Sequence, residues 1–195
     1  MAGQLDGKKI AILATDGFEQ AELLSPKDAL TQAGAKVDVI SLKMGEIKGF
    51  DHLDPGQSVT VDKTLDQVSV GDYDGLVLPG GANNPDTLRI EPAVQAFVRA
   101  FFDAGKPVGA ICHAPWILIN AELVKGRKMT SYKTIRQDLI NAGAEVVNEE
   151  VVVDQGLITS RDPDDLPAFN AKLIEEFAEG RHQGQAEKAK VSETA

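Results

Sequence analysis

A single cysteine with a histidine beside it is the pair of side chains best suited to chemistry in this sequence. An apolar run at Pro107–Ile111 leads directly into Cys112 and His113, and Pro115 stands where the first turn of a helix accepts proline. This order has the form of a nucleophile elbow, with cysteine as nucleophile and alanine replacing both glycines of G-x-S-x-G. Free N–H groups and the positive helix end lower a thiol pKa at such a turn. We predict a reactive thiol; the alternative is a small buried hydrophobe.

His113 is the candidate general base for this thiol, because an imidazole accepts a proton near neutral pH. Neighbouring residues project differently from a tight turn. The ring therefore either contacts the Cys112 sulfur or points away from it and only caps or packs. The other two histidines, His52 and His182, lie in a polar segment and near the carboxyl end of the sequence, and we expect both to be solvated.

Two further segments carry groups that suit a thiol mechanism. Gly80 and Gly81 end an apolar run, and backbone N–H groups there can bind an oxyanion together with the N–H of His113. The alternative is a simple turn, and the pair matches neither a dinucleotide fingerprint nor a Walker loop. Glu19 follows an Asp-Gly turn and is either a carboxylate at a helix start or a carboxyl group near the sulfur. Ionised, it would raise the thiol pKa; protonated, it would donate a hydrogen bond to the thiolate.

Short apolar runs that alternate with amphipathic stretches must position these groups. The predicted strands are Lys9–Ala14, Lys36–Leu42, Asp74–Pro79, Pro107–Ile111 and a hairpin of Glu145–Val153 with Leu157–Ser160, and the predicted helices are Ser25–Gly34, Glu91–Ala104, Thr134–Ala142 and Pro163–Ala178. Ser25 is predicted to cap the first helix, with Pro26 in its first turn, and a hairpin or excursion is predicted at residues 45–61. Strands separated by helices indicate an α/β fold with an open, mostly parallel sheet between helix layers. Ligands bind beyond the carboxyl ends of such strands, where Asp16–Glu22, Gly80–Asp86 and Cys112–Trp116 follow.

Length, charge and composition narrow the classes of function. The 195 residues suffice for one domain, which we place at residues 1–179, and the few, unperiodic apolar residues of 180–195 predict a mobile tail. The net charge of −10 makes direct binding of nucleic acid unlikely. One cysteine allows no internal disulfide, three histidines are too few for a Cys/His zinc site, and no metal is predicted. No apolar run approaches the ~18 residues of a membrane span and no secretory signal is visible, which predicts a cytoplasmic protein without membrane association.

Five segments, taken in order, resemble the ThiJ/PfpI superfamily, specifically its PfpI-type branch of intracellular proteases and general stress proteins. The resemblance covers roughly Lys8 to Ala178. The matching segments are Asp16–Leu23, Leu76–Gly81, Ala110–Trp116, Gly126–Tyr132 and Ile158–Pro163. The resemblance implies a flavodoxin-like domain of the class I glutamine amidotransferase type, assembled as a homodimer or homohexamer and needing no cofactor.

The resemblance also implies roles for individual residues. Cys112 is then the nucleophile, Glu19 its hydrogen-bond partner and His113 the adjacent base. Gly81 and the His113 N–H would form the oxyanion hole. In the PfpI-type branch an acidic residue from a neighbouring subunit completes a Cys-His-Glu triad. Here that position corresponds to Asp86, whose side chain is one methylene shorter.

Three functions fit such a cysteine. The leading hypothesis is a stress-protective hydrolase or lyase, glyoxalase-like or deglycase-like, in which Cys112 attacks small reactive carbonyl compounds or their adducts. The first alternative is an intracellular cysteine peptidase that acts on peptides with the same thiol. The second is a non-enzymatic redox sensor or chaperone in which Cys112 oxidises to a sulfinate. All three need the same reactive thiol, so the motif does not separate them.

Overall fold

The computed structural model describes residues 3–193, with side chains described as far as residue 190. The strands are β1 (Lys9–Leu13), β2 (Phe18–Glu19), β3 (Lys36–Ser41), β4 (Glu46–Asp51), β5 (Asp54–Thr60), β6 (Lys63–Thr64), β7 (Gly75–Leu78), β8 (Val108–Ile111), β9 (Lys128–Met129), β10 (Glu145–Val146), β11 (Val151–Asp154) and β12 (Leu157–Ser160). The helices are α1 (Gln20–Gln32), α2 (Asn83–Leu88), α3 (Pro92–Asp103), α4 (Pro115–Asn120), α5 (Arg136–Asn141), α6 (Leu166–Glu179) and α7 (Gln183–Glu193). No helix in this described part of the chain combines the length and the apolar character needed to cross a lipid bilayer.

Seven strands form one central sheet in the order β11-β12-β8-β7-β1-β3-β6. Every neighbouring pair is parallel except β11 with β12. The middle strands β8, β7 and, after its first residue, β1 are buried on both faces, which explains why they are apolar runs in the sequence. One cluster of buried apolar side chains joins the sheet to α3 and α4, and a second joins it to α1 and α6. The predicted α/β fold, a mostly parallel sheet between helix layers, is confirmed.

The excursion predicted after residue 45 is a small separate sheet. Strands β4 and β5 form an antiparallel hairpin, and β2 pairs in parallel with β4. His52 and Leu53 form the tip of this hairpin between the two strands. The pairing of β2 with β4 holds the tip beside the segment that follows β1, so the hairpin contributes to the site described below.

The first helix begins earlier than the sequence predicts. It starts at Gln20 instead of Ser25, so Pro26 lies inside the helix instead of in its first turn. An internal proline removes one backbone hydrogen bond and normally disfavours a helix. Here Leu23, Pro26 and Leu30 are buried together on the face that packs against the body of the protein, and this packing outweighs the lost hydrogen bond. The consequence is that residues 20–24 form an ordered helical turn instead of a loop.

Two other local elements differ from the predictions. Helix α2 follows the Gly-Gly turn directly, where no helix was predicted. The long first arm of the predicted hairpin is divided: Glu145–Val146 pairs in parallel with β9, and only Val151–Asp154 pairs with β12. Both differences involve short elements of six residues or fewer, whose formation depends on tertiary contacts more than on periodicity.

The prediction of a mobile tail from residue 180 is wrong for the described part of that segment, because α7 packs onto the body of the protein. Gln185 and Ala189 are buried, and the Gln185 side-chain amide donates to the Lys106 carbonyl. The Lys188 ammonium lies 2.7 Å from the Asp154 carboxylate. A helix with so few large apolar side chains therefore docks mainly through polar contacts, which explains why hydrophobic periodicity did not reveal it.

Candidate active site

Three loops meet at the carboxyl-terminal edge of the central sheet, as predicted, and enclose a pocket of about 560 Å³. The loops follow β1, β7 and β8, which are neighbours in the sheet. The residues that line the pocket are Glu19, Glu22, His52, Leu53, Gly81, Ala82, Cys112, His113, Tyr132, Asp162, Pro163 and Asp164. The predicted residues Cys112, His113, Glu19 and Gly81 are therefore brought together, whereas Asp86 is not among the lining residues.

Cys112 occupies a backbone conformation that side chains other than glycine rarely adopt. Its φ angle is +63°, in the left-handed region, at an energetic cost of about 1–3 kcal/mol. The surrounding backbone holds it there, because its N–H donates to Ser160 at 3.1 Å and its carbonyl accepts from the Tyr132 N–H at 2.9 Å. This strained turn directs the thiol to the base of the pocket, where the residue is 6% exposed. The predicted elbow is thus present between β8 and α4.

The backbone N–H groups of Gly81 and His113 both lie within hydrogen-bonding range of the Cys112 sulfur. Gly81 has a φ of +82°, and a Cβ there would lie 2.4 Å from the Gly17 carbonyl oxygen, so only glycine fits this close approach. The N–H of Gly80 has a different use, since it donates to Glu22 at 2.8 Å. Two of the three predicted amide donors therefore surround the sulfur, and the prediction that Gly80 serves as an oxyanion donor is wrong.

The carboxyl group beside the sulfur belongs to Glu22, which corrects the prediction that Glu19 is its hydrogen-bond partner. Glu22 lies in the first turn of α1, is fully buried and interacts with the neighbouring Cys112 thiol, although its Oε1 makes no aligned hydrogen bond. Burial raises the pKa of the Glu22 carboxyl to about 8, with a further rise from Glu19, although the Gly80 N–H opposes it. Glu22 is consequently protonated at neutral pH and can donate to the sulfur.

Glu19 lies at the entrance of the pocket, one helical turn before Glu22. Its Oε2 accepts from the N–H of His52 at 3.0 Å, while its Oε1 is buried and makes no hydrogen bond. The wrong choice of carboxylate follows from the wrong helix start. If the helix began at Ser25, Glu22 would lie in a loop; because it begins at Gln20, the side chain of Glu22 turns inward toward the sheet.

Burial raises the pKa of the Cys112 thiol, which is opposite to the direction predicted from the elbow. Desolvation is the largest cause, and the Glu22 carboxyl adds to it when ionised, while the N–H groups of Gly81 and His113 lower the pKa. Burial therefore favours the thiol form of the sulfur in the folded protein. A nucleophilic thiolate then has to form by proton transfer to a neighbouring base during the reaction.

His113 is placed to accept that proton. Its Nδ1 lies 3.1 Å from the Cys112 sulfur, so the side chains of these adjacent residues are in contact. Its Nε2 lies 3.2 Å from the Thr134 hydroxyl, and its ring stacks on Tyr132 with the ring centroids 4.8 Å apart. Burial lowers the pKa of His113, which keeps the imidazole neutral. A neutral ring with Nε2–H donating to Thr134 leaves Nδ1 free to take the thiol proton.

Asp86 points away from this arrangement. Its side chain is 59% exposed and forms an ion pair with Arg89 at 2.7 Å, one helical turn further along the chain. Within one chain, Thr134 is instead the residue that follows Cys112 and His113, because its hydroxyl lies 3.2 Å from His113 Nε2. A role for Asp86 in the pocket of a neighbouring subunit stays a prediction.

Two groups of side chains in the described residues have the composition of a metal site. Glu19, Asp51 and His52 form one at the pocket entrance, where His52 Nδ1 lies 3.0 Å from Asp51 and the imidazole is solvated, as predicted. The side chains of Asp51 and His52 are largely exposed. The second group consists of Glu176, Glu179 and His182, near the carboxyl end of the chain.

Sequence reasoning missed Glu22, Thr134 and Tyr132. Glu22 stands in the same acidic segment as Glu19, and a helix started at Gln20 would have pointed to it. Thr134 and Tyr132 follow β9 by only a few residues, in a segment with no apolar periodicity, and no signal in the sequence associates them with His113.

The chain is similar to known proteins in sequence and in fold. The profile of the DJ-1/PfpI family matches residues 8–176. The chain is 48% identical over 170 residues to "Protein/nucleic acid deglycase 2" of Escherichia coli (strain K12), covering 86% of this chain and 96% of the relative. It is 47% identical over 167 residues to "Putative cysteine protease YraA" of Bacillus subtilis (strain 168), with the same coverage. Among solved structures, Drosophila melanogaster DJ-1beta is similar with a TM-score of 0.80 at 29% identity, covering 96% of both chains.

Proposed function

The chain belongs to the DJ-1/PfpI family, and on this premise we propose that it is a stress-protective enzyme that uses Cys112 to detoxify reactive carbonyl compounds or their adducts. The observation that carries the proposal is the set of groups around the sulfur. A base lies 3.1 Å away at His113 Nδ1, a protonated carboxyl is supplied by Glu22, and two backbone N–H groups face the same atom. These are the groups that addition of a thiol to an aldehyde requires.

The first step is formation of a carbon–sulfur bond. His113 Nδ1 takes the thiol proton as the sulfur attacks the aldehyde carbon, and the carbonyl oxygen becomes an alkoxide. The N–H groups of Gly81 and His113 are the donors nearest to the developing charge. Protonation of that oxygen by Glu22 completes a hemithioacetal. If the substrate is an adduct of the aldehyde with an amine or thiol, that group leaves with a proton as the carbon–sulfur bond forms.

The second step converts the hemithioacetal into a hydroxy acid. With a 1,2-dicarbonyl substrate, Glu22 as carboxylate removes the C–H proton, and the adjacent carbonyl oxygen is protonated to give an enediol. Return of a proton to the second carbon leaves a thioester on Cys112. Water then cleaves the thioester, releasing the 2-hydroxy acid and the thiol. Across the two steps, the dicarbonyl and one water molecule become the 2-hydroxy acid. There is no net oxidation, and no external electron acceptor is needed.

The charge of the pocket favours uncharged or cationic substrates. Four of its lining residues carry carboxyl groups, namely Glu19, Glu22, Asp162 and Asp164, and no lysine or arginine occurs among the described residues that line it. A substrate carboxylate or phosphate would be repelled at this short range. We therefore expect methylglyoxal to be a better substrate than hydroxypyruvaldehyde phosphate, which carries the same 1,2-dicarbonyl group beside a negative charge.

The test is product identification with purified protein. Incubated with methylglyoxal, the wild type should form lactate detectable by NMR, whereas Cys112→Ala and Cys112→Ser should form none above the uncatalysed rate. Hydroxypyruvaldehyde phosphate in place of methylglyoxal, with phosphoglycerate as the expected product, tests the predicted charge preference. Lactate formation by Cys112→Ala at the wild-type rate would show that the thiol is not the nucleophile, and the proposal would be abandoned.

A cysteine peptidase is the second candidate, favoured by the direct Cys112–His113 contact and by the relative named a putative cysteine protease. It requires a longer substrate that passes the hairpin tip and, by resemblance, Asp86 of a neighbouring subunit. Peptide cleavage that is lost in Cys112→Ala and in Asp86→Asn, without lactate formation in the wild type, would favour this candidate. Oxidation of Cys112 as a sensor, assembly into a homodimer or homohexamer, and a cytoplasmic location stay predictions.

A further inference from the structure

A second cluster of ionisable side chains lies where α6 ends and the chain turns toward α7. Glu176, Glu179 and His182 are spaced three residues apart, and each offers one ligand atom within 4.8 Å of the others. The cluster is at the opposite edge of the sheet from Cys112, because His182 contacts Gly105 and Gly156, which precede β8 and β12. It therefore has no part in the chemistry proposed above.

Two atoms of this cluster are buried without a hydrogen bond. Glu176 is 6% exposed, and neither its Oε2 nor Nε2 of His182 makes an aligned hydrogen bond, although the two atoms lie only 3.2 Å apart. Buried polar atoms are almost always hydrogen-bonded, so such a pair needs an explanation. Ligand atoms bound to one tetrahedral Zn²⁺ at about 2.0–2.2 Å lie roughly 3.3 Å apart, which is close to the separation found here.

The position of the imidazole is set by its surroundings. The His182 N–H donates to the Gly105 carbonyl at 2.7 Å, and its own carbonyl accepts from Gln185 at 3.1 Å. Its ring packs so closely on Gly156 that a Cβ there would lie 2.7 Å from the ring. Because both the backbone and the ring are fixed, little ordering is needed for Nε2 to bind an ion.

The local charge also favours a cation. The cluster contributes two carboxylates, and it lies in the last turn of the 14-residue α6, where the helix dipole is negative. Glu179 is exposed, so its side chain is free to approach an ion held by the two buried ligands. Imidazole nitrogen with carboxylate oxygen is a donor set that suits Zn²⁺, with water as the fourth ligand.

We propose that Glu176, Glu179 and His182 form a zinc site that fastens α7 to the body of the protein. The sequence contains too few cysteines and histidines for a Cys/His site, and here carboxylates supply the missing ligands. The match to the family ends at residue 176, so two of the three ligands and the whole of α7 lie beyond the family profile. The proposal therefore does not rest on the resemblance to the family.

The experiment measures Zn²⁺ binding to the full chain in a Cys112→Ser background, which removes a competing sulfur ligand. Equilibrium dialysis with metal analysis should give one Zn²⁺ per chain, and Zn²⁺ should raise the melting temperature by several degrees. His182→Ala and Glu179→Gln should each weaken binding at least about tenfold and abolish the thermal shift. Because the Glu179 side chain is exposed, its substitution leaves the fold intact even if loss of His182 does not.

His52→Ala is the matched control, since it removes a histidine from the cluster at the pocket entrance, and it should leave the affinity for Zn²⁺ unchanged. Absence of bound Zn²⁺, with a simple His182–Glu176 ion pair in its place, would overturn the proposal. So would binding that depends on His52 and not on His182. Neither result bears on lactate formation, which is measured separately on the wild type without added metal.

Discussion

Replacing Glu22 by glutamine should change how the stability of the protein depends on pH. The pKa of Glu22 is raised from an ordinary 4.5 to about 8 because the carboxyl is buried beside Cys112. Between these two values the unfolded chain has released the proton while the folded protein retains it. Folding therefore takes up a proton, and this contribution to stability is complete below pH 4.5 and is lost as pH rises toward 8. Glutamine has no proton to lose, so the variant lacks this dependence.

The size of the effect follows from the linkage relation. One proton taken up on folding changes the free energy of unfolding by roughly 1.4 kcal/mol per pH unit. Between pH 5 and pH 8 the free energy of unfolding of Glu22→Gln should therefore rise relative to the wild type by about 4 kcal/mol, an order-of-magnitude value. The amide can still accept from the Gly80 N–H and donate to the sulfur, so the fold should be retained.

Urea unfolding followed by far-UV circular dichroism at pH 5, 6, 7 and 8 measures this difference. Subtracting the wild type removes the titrations that both proteins share. Glu19→Gln is the matched control, because it makes the same chemical change one helical turn away, at the pocket entrance. A difference between Glu22→Gln and wild type that stays constant within about 1 kcal/mol across the range would mean that Glu22 is ionised in the folded protein, and the assignment of Glu22 as proton donor would be wrong.

Three further predictions concern single contacts. Thr134→Val removes the partner of His113 Nε2 and should lower kcat about 10- to 100-fold with little change in Tm. Thr134→Ser keeps the hydroxyl and should restore turnover. Equal activity of both variants would contradict a positioning role for Thr134. Gly80→Ala places a Cβ 2.5 Å from a carboxylate oxygen and 2.6 Å from the cysteine Cβ, so it should destabilise the protein by several kcal/mol in urea unfolding, whereas Gly71→Ala, with no atom nearer than 3.5 Å, should be nearly neutral. Gln185→Ala leaves a buried carbonyl without its donor and should reduce the free energy of unfolding by about 1–3 kcal/mol; an unchanged value would show that α7 contributes little to stability.

The sequence alone was enough for the layout of the central sheet and for the position of the candidate nucleophile. Strands such as β7 and β8 are buried on both faces, so they appear as uninterrupted apolar runs, and their alternation with helices predicts the parallel sheet. The turn at Cys112 is also local, because small residues and a proline at fixed spacing are sufficient to predict a strand that turns sharply into a helix. Local signals of this kind need no knowledge of which elements meet.

Choices between similar residues depended on tertiary packing. Whether Glu19 or Glu22 faces the sulfur was decided by the start of α1, and that start is set by burial of a face containing Pro26, which local propensity disfavours. The direction of the thiol pKa was likewise decided by burial, a property of the assembled pocket, because desolvation outweighs the helix end and the amides. Charge and desolvation act through space, so spacing along the chain does not determine them.

The carboxyl end of the chain shows most clearly the difference between what local sequence signals predict and what tertiary contacts decide. From residue 180 the sequence has no apolar face, and periodicity alone predicts no structure there. In the folded protein Gln185 and Lys188 find partners more than 30 residues away in the sequence, and His182 meets Glu176 across the turn between two helices. A polar contact stabilises a segment only when its partner is already in place. For this reason the sequence determined the central strands and the turn at the thiol, and only the tertiary structure decided which polar groups meet.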